Sequence, residues 1–401
     1  MSVDRARRFT LPGIHELNKD QDEALALPVK GQHLIIGGPG TGKSVVVLLR
    51  ARRLSESNKV YGTLVYNQLL HQSNRHLFGQ DHAFPAMTWD SWFRRHFQRR
   101  LGKRIPTLKP DQPGGYQAID WNAVVQQVQQ VQQVQQLTDD DPQSDKYIVI
   151  DEGQDMPPTF YKTLIYLGFE NFYIAADQNQ QIHPDQCSSR RDIENLLAIT
   201  TADTLELKIN YRNTRPIAAL AQHFYPADPA SPKPALPSLE TSVTTPELWT
   251  YDTDDTVPLT KMAENILQLS DRNPRKLIGI ITPDNKIRQK FETALHQANP
   301  TLDHGKPPLQ SFVSGQRTPL NFAQGGVMII NAQSCKGLEF DIAILADIDQ
   351  HQPKRDLYTL KARFYVMAAR AREQLMLLRS GRACPVVDGL LPSDPALLVR
   401  K

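Results

Sequence analysis

Cysteine is scarce in this sequence: there are three, Cys187, Cys335 and Cys384, and they lie far apart. Their spacing matches neither a disulfide framework nor a zinc motif, so we expect a reducing, cytoplasmic environment. Long apolar runs are lacking too. No stretch approaches the roughly 18 uninterrupted apolar residues of a membrane span, and no apolar segment follows the basic N-terminus. We therefore expect neither a signal peptide nor a membrane partner.

A strong charge of one sign is also absent. The chain has 46 basic and 43 acidic side chains in 401 residues, a net charge of +3. Any surface that binds nucleic acid must therefore be local rather than spread over the molecule. The length predicts two or three domains, and an apolar content of 40% is enough for ordinary cores.

What the sequence does contain is a phosphate-binding loop in the expected context. A short apolar run, residues 34–36, predicts a buried strand, and an apolar helix pattern follows the loop. Between them lies the pattern G-x-x-x-x-G-K-S, in which backbone N–H groups and a helix N-terminus surround phosphate oxygens. Lys43 would reach the outer phosphates and Ser44 would bind Mg²⁺. The loop comprises Gly37, Gly38, Pro39, Gly40, Thr41, Gly42, Lys43 and Ser44.

A second buried strand, Tyr147–Ile150, ends in an acidic pair. In a fold with a phosphate-binding loop, such a strand end lies near the phosphates. We expect Asp151 to hold Mg²⁺ and Glu152 to orient and deprotonate the attacking water. A third strand ends before the carboxamide-rich turn 178–181, whose side chains could sense the γ-phosphate; a plain polar loop is the alternative.

Gln21 begins a helix just before the loop. Its amide can donate and accept at once, which suits the edge of adenine. A polar helix start, with Asn18 as the cap, explains the same residues and is the interpretation that the pattern favours.

The segment 89–104 interleaves aromatic side chains with arginine and lysine, six of which lie between Arg94 and Arg104. Single-stranded nucleic acid is bound by such mixtures, with cations for phosphates and rings for bases. The candidate contact residues are Tyr66, Thr88 and Trp89. The alternatives are a solvated basic helix whose aromatic rings face the core, and a buried core tyrosine at position 66.

Strands and helices alternate in both halves, which predicts an α/β fold with two parallel sheets. We place the first domain at residues 1–205, with a small insertion over about 92–144, and the second at 206–401. A proline-rich connection, 226–237, is predicted to be stiff and extended. The valine–glutamine repeat within 119–137 is expected to form one helix of the insertion.

The ordered motifs resemble those of superfamily 1 helicases of the UvrD/Rep kind, and the series runs across nearly the whole chain. Gln21 matches the family's adenine motif, the loop its P-loop, and Asp151–Asp155 its D-E-x-Q-D box. Further matches are Asp177 and Gln180 to G-D-x-x-Q, Asn210–Arg212 to N-Y-R, Lys336–Phe340 to K-G-L-E-F, and Tyr365–Glu373 to the last motif.

The resemblance implies two RecA-like domains with ATP and Mg²⁺ in the cleft between them. Tyr211 would stack on adenine and Glu339 would contact the ribose. Arg212 and Arg370 would act as arginine fingers, and Gln180 would complete the catalytic set. Cleft closure on ATP would drive movement along single-stranded DNA, 3′ to 5′ in this family.

The chain differs from the family at motif positions that contact DNA during movement along the strand. Residues 183–186 replace the Trp and Arg that follow the family's Gln box; Asn331, Gln333 and Ala369 replace further motif residues. The large second-domain insertion has no room. We therefore expect a minimal DNA-stimulated translocase or helicase. The alternatives are a regulatory ATP switch that signals to a partner, such as a nuclease in a defence or repair complex, and an RNA-directed relative.

Overall fold

The computed structural model describes residues 3–7, 10–78, 86–110, 116–134, 143–181, 187–238, 244–251, 258–313, 316, 319–351, 356–382 and 384–401. In these ranges, no helix has the length and apolar character needed to cross a membrane. The substituted residues 183–186 lie outside the description.

The first domain is built on a six-stranded parallel sheet with the order β3-β2-β4-β5-β1-β6. Its central strands are buried because helices cover both faces, as is usual for parallel sheets. The strands are β1 (Gln32–Gly37), β2 (Tyr61–Val65), β3 (Ala86–Thr88), β4 (Tyr147–Ile150), β5 (Asn171–Ala176) and β6 (Thr204–Leu207).

Seven helices accompany this sheet in the described residues: α1 (Lys19–Ala26), α2 (Lys43–Glu56), α3 (Gln68–Phe78), α4 (Trp89–Leu101), α5 (Trp121–Val134), α6 (Pro158–Tyr166) and α7 (Arg190–Leu196). The predicted insertion corresponds to α4 and α5, which lie between β3 and β4. The helix α5 buries Val124 and Val128, which are four residues apart. Its buried face therefore follows helical spacing rather than the strict three-residue repeat of the valines.

The second domain is built on a seven-stranded parallel sheet with the order β13-β7-β12-β11-β8-β10-β9. The strands are β7 (Glu247–Thr250), β8 (Leu277–Thr282), β9 (Leu309–Ser311), β10 (Gly326–Asn331), β11 (Phe340–Leu345), β12 (Ala371–Arg379) and β13 (Val399–Arg400). The helices are α8 (Arg215–His223), α9 (Leu259–Arg272), α10 (Asn285–Gln297), α11 (Leu357–Ala368) and α12 (Pro385–Asp388).

The predicted fold class is confirmed: the chain forms two α/β domains with parallel sheets, consistent with a RecA-like two-domain fold. The predicted domain boundary at 205 falls inside β6, whose residues up to Leu207 pair with β1. The boundaries themselves remain a prediction. Apolar contacts continue between the domains, because Leu69 of α3 belongs to the core of the second domain.

Candidate functional site

The carboxyl ends of β1, β4 and β5 meet at one edge of the first sheet. The loop Gly37–Ser44, which matches the P-loop pattern, follows β1, and the acidic pair follows β4. The turn Asp177–Gln180 follows β5. Because these strands are parallel neighbours, their ends project side chains into one region. The sequence predicted this convergence, and the structure brings these groups together.

The P-loop is fixed by close backbone packing. Gly40 and Gly42 have φ values of 78° and 91°, the left-handed region that favours glycine. A Cβ atom on Gly42 would lie 2.2 Å from Nε2 of Gln21, and one on Gly40 would lie 2.1 Å from Oδ1 of Asn210. The loop is therefore held between the start of α1 and the N-Y-R segment, with no space for side chains at these glycines.

Lys43 is buried inside the loop. Its Nζ donates to the carbonyl oxygens of Gly37 at 2.7 Å and Gly38 at 3.0 Å, and it lies 3.8 Å from Oδ2 of Asp177. Burial lowers the pKa of Lys43, against the opposing effect of Asp177 and the acidic pair. The loop thus holds a desolvated cation among carbonyl oxygens, an arrangement suited to receiving phosphate oxygens.

The two acidic side chains have different environments. Burial, followed by the charge of Glu152, raises the pKa of Asp151 to about 6. Burial would also raise the pKa of Glu152, but the opposing charges, led by Lys336, outweigh it and lower that pKa. Glu152 accepts a hydrogen bond from Nε2 of Gln154 at 2.6 Å. It is therefore an ionised carboxylate, the form required of a general base.

Asp151 keeps one oxygen for a further ligand. Its Oδ1 accepts from the Glu152 backbone N–H at 3.0 Å, whereas Oδ2 is buried without a hydrogen-bond partner among the described residues. The Ser44 side chain lies beside this carboxylate. A buried carboxylate oxygen next to a hydroxyl and a phosphate-binding loop is a donor set that fits Mg²⁺.

Gln180 connects the two domains. Its Nε2 donates to Oδ2 of Asp177 at 2.7 Å, while its Oε1 accepts from Nη2 of Arg370 at 2.7 Å. Arg370 is only 1% exposed and follows α11 in the second domain. The backbone oxygen of Gln180 accepts from Nζ of Lys336 at 2.6 Å. One glutamine therefore contacts the end of β5 and two cations of the second domain.

A buried ion pair closes the same region. Lys336 Nζ lies 2.6 Å from Oδ2 of Asp155 and 3.9 Å from Oε2 of Glu152. Burial raises the pKa of Asp155 to about 6 despite this partner. We call this set the seam: Lys43, Asp151, Glu152, Asp155, Asp177, Gln180, Lys336 and Arg370. Five of these are predicted site residues, namely Lys43, Asp151, Glu152, Gln180 and Arg370. The other three, Asp155, Asp177 and Lys336, belong to motifs of the resemblance, and the pairing of Lys336 with Asp155 was not predicted.

Beside the seam lies an open cavity of about 420 Å³. Gln21 and Tyr211 line it; the Tyr211 side chain is 50% exposed. Arg212 and Glu339 also line it and form an ion pair with each other. The remaining lining residues are Thr10, Leu11, Pro12, Glu16, Asn18, Gly40, Gly42, Val45, Leu77 and Arg372.

Gln21 forms the predicted polar helix start, and its contact with adenine stays a prediction. Its side chain completes a capping box with Asn18, as a polar helix start predicts. Its Nε2 also donates to the Thr41 carbonyl at 3.0 Å, so the amide braces the P-loop. An amide has four hydrogen-bonding positions, and these contacts use two, which leaves capacity for a base edge.

The proline-rich segment packs against the site. Asn179 Nδ2 donates to the Ser231 carbonyl at 2.7 Å, and Gln178 N donates to Ser231 Oγ at 2.8 Å. Pro234 is buried beside Gly38, where an added Cβ would lie 2.7 Å from its ring. No feature of the sequence indicated this contact, because proline content predicts stiffness but not a docking surface.

The three candidate nucleic-acid contacts, Tyr66, Thr88 and Trp89, lie outside the seam. The Trp89 ring packs against Trp121, with centroids 6.2 Å apart, and against Phe160 at 5.5 Å. Phe93 and Phe97 are fully buried, whereas Arg95 and Arg99 are exposed. The structure of α4 is therefore the basic helix with aromatic rings in the core. Thr88 precedes α4 and is half-buried.

Tyr66 follows β2 and is half-buried near Asp155 and Lys336. Burial raises the pKa of its hydroxyl. Its position next to the seam leaves both the contact residue and the core tyrosine as interpretations, and the roles of all three nucleic-acid candidates stay predictions.

No family model and no curated protein matches the chain. Among solved structures, it is similar to the C-terminal domain of a possible DNA helicase from Lactobacillus plantarum WCFS1. The sequences are 18% identical, and the match covers 47% of this chain and 98% of that one, with a TM-score of 0.33. A likeness at this level carries no argument about function.

Proposed function

We propose that the chain is an ATP hydrolase of the helicase type. In its fullest form it is a DNA-stimulated ATPase that acts as a minimal superfamily 1 single-strand translocase or 3′–5′ helicase. The observation that carries the proposal is the seam, where Lys43 and Glu152 of the first domain lie with Arg370 of the second around Gln180. Buried charges of both signs are costly unless they are paired or used, and hydrolysis of a triphosphate would use Lys43, Glu152 and Arg370.

The seam residues Lys43, Glu152 and Arg370 each have a chemical role in this proposal. Lys43 binds the outer phosphates in place of the carbonyls of Gly37 and Gly38. Glu152 accepts the proton of the attacking water, since the cations around it keep it ionised. Arg370, held by Gln180, neutralises charge that develops on the transferring phosphoryl group. Arg212 is the second finger and is held by Glu339 at the cavity.

Mg²⁺ would be held by the Ser44 hydroxyl and the Asp151 carboxylate, and when bound it supplies positive charge to the phosphate oxygens. Among the described residues, no three His, Cys, Asp or Glu side chains form a metal cluster of their own. Mg²⁺ commonly binds through one or two protein ligands together with substrate phosphates and waters, and Ser44 and Asp151 would be those ligands here.

The cavity supplies the base and ribose contacts. Tyr211 presents an exposed ring for stacking, and the free amide capacity of Gln21 matches the donor and acceptor on the adenine edge. Glu339 lies on the same wall and would contact the ribose. These residues favour a nucleoside triphosphate over inorganic phosphates as the ligand.

The direct test is steady-state ATP hydrolysis by the purified chain, alone and with single-stranded DNA or RNA, paired with a strand-displacement assay. We expect hydrolysis that requires Mg²⁺ and that DNA stimulates more than RNA. Absence of hydrolysis under all these conditions would refute the enzyme assignment. Equal stimulation by RNA would refute the DNA assignment.

The second candidate is a regulatory ATP switch that signals nucleotide or DNA state to a partner such as a nuclease. The packing of the α4 aromatic rings favours it, because Phe93 and Phe97 are fully buried and Trp89 packs against Trp121 and Phe160, which leaves less ring surface for bases. ATP hydrolysis without displacement of a short duplex, together with a change in partner binding on ATP addition, would support the switch over the translocase.

A further inference from the structure

The N-terminal segment Val3–Arg7 lies on the second domain, although it precedes the first domain in sequence. Ala6 forms an antiparallel bridge with Gln324. The Arg7 N–H donates to the Ala323 carbonyl at 2.8 Å, and the Gly325 N–H donates to the Arg5 carbonyl at 2.8 Å. These main-chain bonds add the segment to the stretch that leads into β10.

Arg7 anchors this segment through a buried ion pair. Its Nε lies 2.6 Å from Oδ2 of Asp341, and its Nη2 lies 3.1 Å from Oδ1 of the same residue. The Arg7 side chain is 1% exposed. Asp341 also accepts from the Leu277 N–H at 2.9 Å. A two-point pair with further hydrogen bonds is the geometry in which a buried salt bridge holds its elements in place.

The same guanidinium contacts the K-G-L-E-F loop. Arg7 Nη2 donates to the Glu339 carbonyl at 3.2 Å, while the Glu339 side chain pairs with Arg212 at the cavity. Arg7 therefore contacts the backbone of Glu339, and the side chain of Glu339 lines the nucleotide cavity.

Residues that follow this anchor in sequence also line the cavity. Thr10, Leu11 and Pro12 line it, and Leu11 packs against Leu48 and Ala51 of α2 in the first domain. Three peptide links join Arg7 to Thr10, so their Cα atoms lie at most about 11 Å apart. Thr10–Pro12, which line the cavity next to the first domain, are therefore joined by a short stretch of chain to Arg7, which is bound to the second domain.

We propose that Val3–Arg7 together with Thr10–Pro12 form a tether that holds the base end of the nucleotide cavity against the second domain. Arg7 is its positioning residue, and its ligand is the base and ribose of a nucleoside triphosphate. The inference rests on the proposed nucleotide site. Because the tether orders the cavity wall only while both ends are docked, base binding favours the closed arrangement of the two domains.

The sharpest test leaves the anchor intact and lengthens the connection. Six glycine and serine residues are inserted between Arg7 and Thr10, and binding is measured for Mg–ATP and for Mg–tripolyphosphate, which has no base. We expect ATP affinity to fall about tenfold, because the wall is no longer held in place before binding. Tripolyphosphate affinity is expected to stay at the wild-type value.

Substitution of the anchor residue, Arg7, gives a second, independent test. Arg7→Ala should weaken ATP binding in the same direction, and Arg7→Lys, which keeps the charge, should restore part of it. The matched control is Arg275→Ala, which removes the exposed pair between Arg275 and Asp4, 2.6 Å apart, on the same segment. That variant should bind both probes as the wild type does. Thermal unfolding monitors the fold of each variant.

Three outcomes would overturn the tether. The first is unchanged ATP affinity in a folded insertion variant. The second is an equal loss for ATP and tripolyphosphate, which would mean that the segment only stabilises the protein. The third is a wild-type protein that binds neither probe, which would refute the nucleotide site and the tether with it. Tripolyphosphate binding by the wild type separates failure of the tether from failure of the nucleotide site.

Discussion

The seam and the helix α4 both combine charged and polarisable side chains, but the fold uses them in opposite ways. At the seam the charged groups are buried, and residues of the two domains pair with each other, as Arg370 does with Gln180 and Lys336 with Asp155. In α4, Phe93 and Phe97 are buried and Trp89 is half-buried, whereas Arg95 and Arg99 remain in solvent. Burial of charge is costly and needs a compensating use, whereas burial of aromatic rings is favourable by itself. The seam is therefore the stronger evidence of function.

Loss of Arg370 should give the largest effect. The Arg370→Ala variant should lower kcat about 10³-fold or more, and change ATP affinity much less, because a finger acts mainly on the transition state. Single-turnover hydrolysis and nucleotide binding, measured separately, check this. Arg379→Ala, on the adjoining β12, is the control. Loss of ATP binding with unchanged turnover of bound ATP would show that Arg370 is not a finger.

The variant Glu152→Gln should have the second largest effect. Its kcat should be lower by about 10²- to 10⁴-fold, which is the usual contribution of a general base. ATP should still bind, since the amide keeps the shape of the side chain. Hydrolysis rates and equilibrium binding are the measurements. A variant that hydrolyses ATP as fast as the wild type would remove Glu152 from the mechanism.

The variant Trp89→Ala tests whether the aromatic rings of α4 serve packing rather than DNA binding. The ring is half-buried against Trp121 and Phe160, so we expect a loss of about 2–4 kcal/mol in the free energy of unfolding, somewhat below that of a fully buried tryptophan. Denaturant unfolding measures it. A stable variant with strongly reduced DNA binding would instead identify Trp89 as a stacking residue.

The exposed arginines of α4 should give the smallest effect. The double variant Arg95→Ala/Arg99→Ala should bind single-stranded DNA several-fold more weakly, and the slope of log affinity against log salt should shrink by about 0.7 per lost phosphate contact. The control, Arg272→Ala/Lys286→Ala, removes the same charge from exposed positions on α9 and α10. An equal change in both double variants would show that α4 has no specific role.

The sequence was sufficient to predict the sheets and the first-domain part of the seam, because both depend on local patterns. A buried strand followed by Gly37–Ser44, or by Asp151 and Glu152, determines where the polar groups lie once the strands are parallel. The burial of Phe93 and Phe97 was one of the interpretations left open, and their four-residue spacing, which puts them on one helix face, could have decided it. The mixed composition of the segment obscured that spacing.

Other parts of the site could not be predicted from local patterns. Arg7 meets Asp341 across 334 positions of sequence, and no motif surrounds it. The contact of Pro234 with Gly38 likewise depends on how the two domains pack. Long-range contacts of single residues leave no periodic signal in one sequence, and only the assembled fold reveals them.

The central claim is that the buried seam hydrolyses ATP. The most direct measurement is the rate of phosphate release from Mg–ATP by the wild-type chain and by Lys43→Ala, at equal protein concentration and with single-stranded DNA present. We predict measurable hydrolysis by the wild type and none by the variant, because Lys43 holds the outer phosphates. Equal rates from the two proteins, or no hydrolysis by the wild type, would contradict the claim.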